Sequence, residues 1–239
     1  MTSASASEHG GAGSQTLSRG IRILELLAAR DEPASIPELV AALGLHRSIV
    51  YRLVRTLEQH RLVARDARGA IVLGAGLASL AARVDGDLQT VAMPELRRAA
   101  EAIGATCFLV VLDAAEVVTL VSAEPSRSKV TVAEHPGTRH PLGVGAPGRA
   151  VLIQLPRSEW PAGLDAAHIA ATEAVGDAGY ATSFGEVIPG LRAVAVPLAI
   201  RGRGPMALAC VYVSTSFEPV DIAAELAAAA VSVATALGR

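Results

Sequence analysis

The stretch Ile36–Leu57, IPELVAALGLHRSIVYRLVRTL, limits what this chain can fold into more than any other. Leu39, Leu43, Val50, Leu53, Val54 and Leu57 recur at helical spacing, Gly44 interrupts the pattern and Leu45 resumes it. A glycine between two amphipathic segments supplies the left-handed residue of a tight turn. The pattern therefore predicts two short helices whose apolar sides meet a third. The side of the second helix left outside carries His46, Arg47, Ser48, Tyr51, Arg52 and Arg55. Arginines, a hydroxyl and a phenol on one exposed helix suit the major groove of duplex DNA, where arginine pairs with guanine. A merely solvated basic face is the competing reading, and context decides between them.

That context is a winged helix. Leu17–Arg30 reads as a preceding helix with Ile21, Leu24, Leu27 and Ala28 on one face, capped by Ser14 or Thr16 and ended at Asp31–Pro33. Ser35, with Pro37 and with Glu38 three residues on, has the spacing of a capping box. After His60, LVARD and AIVL read as two short strands around a turn at Ala67–Gly69. The formal net charge is only −2, yet residues 46–68 hold six arginines against Glu58 and Asp66. Arg47, Ser48, Tyr51 and Arg52, in the first half of the second helix, are placed to approach base edges. Arg19, Arg55, Arg65 and Arg68 suit phosphates, which give affinity without sequence information.

The rest of the chain reads differently. Gly74–Val84 is an Ala/Leu helix with Leu77, Leu80, Ala81 and Val84 on one face, a linker or a surface for a second copy. Leu88–Ile103 is a further helix, expected to break near Pro94. TCFLVVLD, EVVTLVSAE, SKVTVAE, GYATSF, LRAVAVPLAI and MALACVYVS are strand-like. RAVLIQL, Trp160–Ala178 and Pro219–Leu237 read as helices. The fold class is therefore α+β, a winged helix-turn-helix joined by a linker helix to an antiparallel sensor domain. The expected boundaries are a disordered tail over 1–15, the winged helix over 16–74, the linker over 75–88 and the sensor domain over 89–239. Hydrophobic residues make up 51% of the chain and aromatics 3%, so the cores are built from Ala, Val and Leu. No uninterrupted apolar run is long enough to span a membrane, and no signal peptide is read, which gives an expected cytoplasmic protein without membrane contact. Cys107 and Cys210 sit in strand-like runs and read as buried structural thiols.

Leu142, Gly143, Val144, Gly145, Ala146 and Pro147 lead into a helix. Two glycines one residue apart allow backbone N–H groups to converge at a helix N-terminus, an arrangement that suits a carboxylate. A plain tight turn is the bland alternative. Ser183, Glu186, Tyr212 and Ser214 lie on or near strands expected to face that loop, and each can bond a small ligand. Arg139 and His140 stand at its start. His135 and His140 have no second ligand pair at a useful spacing, so no metal is expected. No nucleophile elbow, phosphate-binding loop or zinc motif is present, so no catalytic residue or cofactor is expected.

Taken together, LSRGIRILELL, IPELVAALGLHRSIVYRLVRTLEQHRLV, the Leu73–Gly74 pair, GTRHPLGVGAPGRAVL, GYATSFGEVIPGLRAVAVPL and ACVYVS resemble the IclR family of bacterial transcription factors. The resemblance covers nearly everything after the tail. It implies a winged helix joined by a helix to a GAF-like effector domain, assembled as a homodimer or homotetramer on palindromic operator DNA. It also implies a small-molecule effector, expected to be an organic or aromatic acid. The cysteine that some members place in the effector pocket falls near Ala193 here. Val40 stands where a small residue is common, and the wing, DARGA, is short. An enzyme that uses the GAF-like domain, with the winged helix as adaptor, is the alternative. A DNA binder with no ligand is a third reading, disfavoured by the glycine loop and its polar neighbours.

Overall fold

The computed structural model describes residues 13–126 and 132–238. The chain divides into two units, the first ending at Val84 and the second beginning at Asp85. The expected tail lies outside the described residues up to position 12, as do Ser128–Thr131 of the expected strand SKVTVAE. The remainder of that stretch, Val132–Glu134, is not a strand.

In the first unit, α1 (Gln15–Ala28) begins where the Ser14 hydroxyl accepts the Leu17 N–H at 3.4 Å. Its buried residues are Gly20, Ile23 and Leu27, whereas Ile21 and Ala28 are exposed, which corrects the expected face. The capping box of α2 (Ile36–Leu43) is complete. Ser35 N–H donates to Glu38 Oε2 at 2.8 Å, and Glu38 N–H donates to Ser35 Oγ at 3.4 Å. Arg30 adds an ion pair to Glu38 at 2.8 Å. Bonds from the Ser35 hydroxyl and N–H, then from Arg30, pull the Glu38 pKa down to about 2. Gly44, at φ 64°, closes α2 and turns the chain into α3 (Arg47–Gln59). The strands β1 (Val63–Arg65) and β2 (Ile71–Leu73) pair antiparallel. Ile71 and Ala34 exchange backbone bonds of 2.7 and 3.0 Å, which ties the wing to the start of α2. Ile23, Leu39, Val50, Leu53, Val54, Val63 and Ile71 form the core. Burying each such side chain contributes roughly 1.5–3 kcal/mol. The last helix of the unit, α4 (Gly76–Ala81), is shorter than expected and buries none of its residues.

The second unit is a six-stranded antiparallel sheet of β3 (Thr106–Asp113), β4 (Glu116–Ala123), β5 (Arg139–Pro141), β6 (Ala181–Phe184), β7 (Arg192–Leu198) and β8 (Met206–Tyr212), in the order β5-β4-β3-β8-β7-β6. One face is covered by α5 (Gly86–Ile103) and α8 (Pro219–Leu237). Leu88, Leu96, Ile222, Leu226 and Val233 meet Cys107, Leu109, Leu208, Cys210 and Tyr212 there. The other face is covered by α6 (Gly145–Leu152) and α7 (Ala166–Ala178), with Ala146, Val151, Leu152 and Val175 against Phe108, Val110, Ala209 and Val211. Odd and even residues of β3 thus go to opposite layers, as the two-residue period of a strand requires. Cys107 and Cys210 face each other across β3 and β8, and the Cys107 thiol together with burial pushes the Cys210 pKa well above its ordinary value.

Several helices depart from expectation. Pro94 does not break α5. It sits on the exposed side with Thr90, so the carbonyl that loses its helical donor is on the solvent side of the helix. Asp85 starts this helix at φ 45° and is held, with Asp87, by ion pairs from Arg203 in the β7–β8 turn. The helix expected over RAVLIQL begins earlier, at Gly145, and the one expected from Trp160 begins only at Ala166. By length and composition α8 is apolar enough to cross a membrane, yet it lays Ile222, Leu226, Ala229 and Val233 on the sheet.

Candidate functional site

The first unit presents α3 outward. Val50, Leu53, Val54 and Leu57 are buried, so the helical period leaves Arg47, Ser48, Tyr51, Arg52 and Arg55 on the exposed side. The Arg47 guanidinium lies 3.3 Å from the Tyr51 hydroxyl and 5.5 Å from its ring centre, which holds both side chains together on the first turns. His46 caps the helix, its Nδ1 accepting the Ser48 N–H at 3.3 Å and lying 2.8 Å from Ser48 Oγ. These two expected DNA-contact residues therefore have a local structural task. In the wing, Arg65 is held by Glu58 at 2.8 Å and donates to the Gly69 carbonyl at 3.1 Å. Asp66 shapes the turn by accepting the N–H groups of Arg68 and Ala70. Arg19, Arg52 and Thr56 share a surface hollow between α1 and α3.

The second unit holds a small cavity of about 40 Å³ between the sheet and the segment after β6. Phe108, Pro147, Leu191, Ala193 and Val211 give it apolar walls, with Val187 and Ile188 at the loop side. Its polar groups are Glu134, His140, Ser183, Glu186 and Arg192. The glycine loop stands behind it. Gly145 is at φ 71°, and a Cβ there would come within 2.9 Å of Val187 Cγ2. The convergent N–H groups expected to hold an effector are already engaged: Gly145 donates to Glu186 Oε2 at 3.2 Å and Ala146 to Ser183 Oγ at 3.0 Å. Arg149, almost wholly buried, completes this cluster with 2.5 Å to Glu186 and 3.0 Å to the Thr182 carbonyl.

Of the expected pocket residues, Ser183, Glu186 and Ala193 line the cavity. Leu142 and Ala146 pack in the core behind it, and Gly143 and Val144 do not line it. Tyr212 belongs to the opposite layer, beside α5 and α8, and Ser214 is exposed beyond the end of β8. Arg139 points away, held by Asp113 at 2.6 Å and Glu116 at 3.0 Å, and these bonds raise its pKa.

Residues 16–67 match the IclR helix-turn-helix domain, and residues 81–237 match the bacterial transcriptional regulator IclR C-terminal domain. This chain belongs to the IclR family. It is 28% identical to an IclR transcriptional regulator from Alicyclobacillus acidocaldarius, covering 95% of this chain and 100% of that one with a TM-score of 0.81. It is 32% identical over 144 residues to the probable transcriptional regulator SauR of Cupriavidus necator, over 59% of this chain and 57% of the relative. The curated relatives are thus matched over little more than half their length. An IclR homologue from Microbacterium hydrocarbonoxydans complexed with 4-hydroxybenzoate shares the fold, with a TM-score of 0.80, 23% identity and coverage of 93% and 99% of the two chains.

Within this IclR chain, sequence reasoning missed Phe108, Glu134, Arg149 and Arg192. Phe108 and Arg192 were hidden in strands whose facing is set by the sheet. Arg149 carried a signal, since a lone arginine in the apolar run GAPGRAVLI has to find a buried partner.

Proposed function

We propose that this chain is a DNA-binding transcriptional regulator whose operator affinity is set by a small-molecule effector. The observation that carries the reading is the exposed, arginine-bearing face of α3 within a winged helix, on the same chain as a second unit with a lined cavity. Arg47, Tyr51 and Arg52 read bases; Arg19, Arg55, Arg65 and Arg68 meet phosphates. An effector regulates only by binding two states of the protein with different affinity. The expected effector is a small organic acid with an apolar, aromatic body. The apolar walls of Phe108, Leu191 and Val211 hold the body. The homologue bound to 4-hydroxybenzoate supports this class.

The regulator acts as a homodimer or homotetramer in the bacterial cytoplasm. A symmetric pair doubles the DNA contact and matches a palindrome. The first unit leaves Leu17 and Ile21 on α1, and Leu80 and Val84 at the α4 end, exposed to meet a second copy. A thermal-shift screen of small carboxylates, followed by fluorescence anisotropy on bound duplex DNA, tests the reading. An acid that raises the melting temperature and changes DNA affinity supports it. Stabilising acids that leave DNA affinity unchanged contradict it, as does a purely monomeric chain in light scattering at micromolar concentration.

A further inference from the structure

We propose that Arg203 is a positioning residue for operator binding: it holds the point where the chain enters the second unit, and thereby sets the spacing of the two half-sites that a pair of chains can grip. This rests on reading the chain as a symmetric DNA-binding regulator. The second unit begins at Asp85, one residue before α5. Arg203, in the β7–β8 turn, donates from Nη1 to Asp85 Oδ1 at 3.0 Å and from Nη2 to Asp87 Oδ2. One guanidinium fork thus straddles Gly86 and grips both carboxylates at the helix start.

An ordinary surface ion pair contributes little to stability, and this one differs in what it holds. Asp85 has φ 45°, a left-handed conformation that strains a side-chain-bearing residue, although Gly86 beside it could adopt such a conformation freely. Asp85 also occupies the N-cap of α5, where an aspartate ordinarily accepts a helix N–H. Among the described residues it makes no such bond. Its carboxylate is turned to Arg203, and Asp87 accepts the Leu88 N–H at 2.9 Å. The turn is itself anchored. Arg203 N–H donates to the Ile200 carbonyl at 3.0 Å, and Leu112 N–H of β3 donates to the Pro205 carbonyl at 3.1 Å. The same β7–β8 hairpin carries Ala193 and Val211, paired across the two strands at the cavity wall. A hairpin is stiff, so a shift at its cavity end reaches the start of α5. Two DNA-binding units reinforce each other on an inverted repeat only where their linkage lets both half-sites be engaged at once. A fixed start of α5 narrows the spacings that meet this condition, and a loose start widens them.

Fluorescence anisotropy of the full chain on three kinds of duplex tests this. They are the inverted repeat that the wild type selects from a random library, the same repeat with its half-sites moved apart by a few base pairs, and a single half-site. The wild type is expected to favour the selected spacing by roughly tenfold or more. Arg203→Ala reduces that preference to about threefold or less while half-site affinity stays within about twofold of wild type. Asp85→Gly relieves the left-handed strain and so keeps the melting temperature, yet gives the same loss of spacing preference. This second variant decides the matter if Arg203→Ala folds poorly. Arg98→Ala, which breaks the ion pairs to Glu95 and Glu225 elsewhere on α5, keeps the preference. A preference that survives in Asp85→Gly or in folded Arg203→Ala overturns the assignment, as does its loss in Arg98→Ala. A fall in half-site affinity in Arg203→Ala overturns it too, and so does equal wild-type binding at every spacing. Absence of any inverted-repeat binding by the wild type overturns the regulator reading and this inference with it. A wild-type preference unchanged in the variants removes the role of Arg203 alone.

Discussion

The Glu186 carboxylate lies 2.5 Å from Arg149 Nη2 and accepts the Gly145 N–H at 3.2 Å, so the chain places its own anion at the N-terminus of α6. The positive end of a helix and a buried guanidinium both favour a carboxylate there. Among the described residues Arg149 Nε has no partner, so the guanidinium depends on its contacts to Glu186 and the Thr182 carbonyl. Glu186→Ala leaves that buried charge with the Thr182 carbonyl alone. The expected result is a loss of about 1–3 kcal/mol in urea unfolding. Arg149→Met, which removes the charge and keeps much of the volume, is expected to cost less than Glu186→Ala. The reverse order contradicts this account of the cluster.

Gly145→Val is expected to disturb the cavity and leave the DNA-binding unit untouched. The residue is at φ 71°, a region that costs a non-glycine residue about 1–2 kcal/mol, more for a branched one. Its Cβ would also press on Val187 Cγ2 at 2.9 Å, which moves the loop wall of the pocket. Thermal unfolding should show the loss, and duplex affinity without effector should match wild type within about twofold.

These two sites show how far the sequence reaches. The turn at Gly44, the capping box at Ser35–Glu38 and the wing were legible because each depends on neighbours close in sequence. The α1 face was misread because Leu17, Ile21, Leu24 and Ala28 form an apolar stripe overlapping the true one, and packing against α3 selects between them. Tyr212 was placed in the pocket because β8 is buried on both faces, and such a strand carries no alternation to tell one layer from the other. The occupied N–H groups of the glycine loop were invisible, since Glu186 reaches them from 41 residues away.

The capping box gives a pH signature. Glu38 has its pKa lowered to about 2, first by the Ser35 hydroxyl and N–H and then by Arg30. Because the folded value is below the ordinary 4.5, the stabilising contribution is fully present above that value and is lost as pH falls through about 2. Carboxyl NMR titration should place the Glu38 midpoint near 2, and Ser35→Ala should move it up towards 4.5. A wild-type midpoint at the ordinary value shows that the box is open in solution.

Selection from a random duplex library by the full chain tests whether the α3 face reads duplex DNA. An inverted repeat should be enriched, with affinity that falls steeply as salt rises. Arg52→Ala should lose about 1–3 kcal/mol on the enriched site and relax the preference at one base pair of each half-site. Arg65→Ala should weaken all sequences alike. If no sequence is enriched, or if an Arg47→Ala/Arg52→Ala double variant binds the enriched site as tightly as wild type, the account is contradicted.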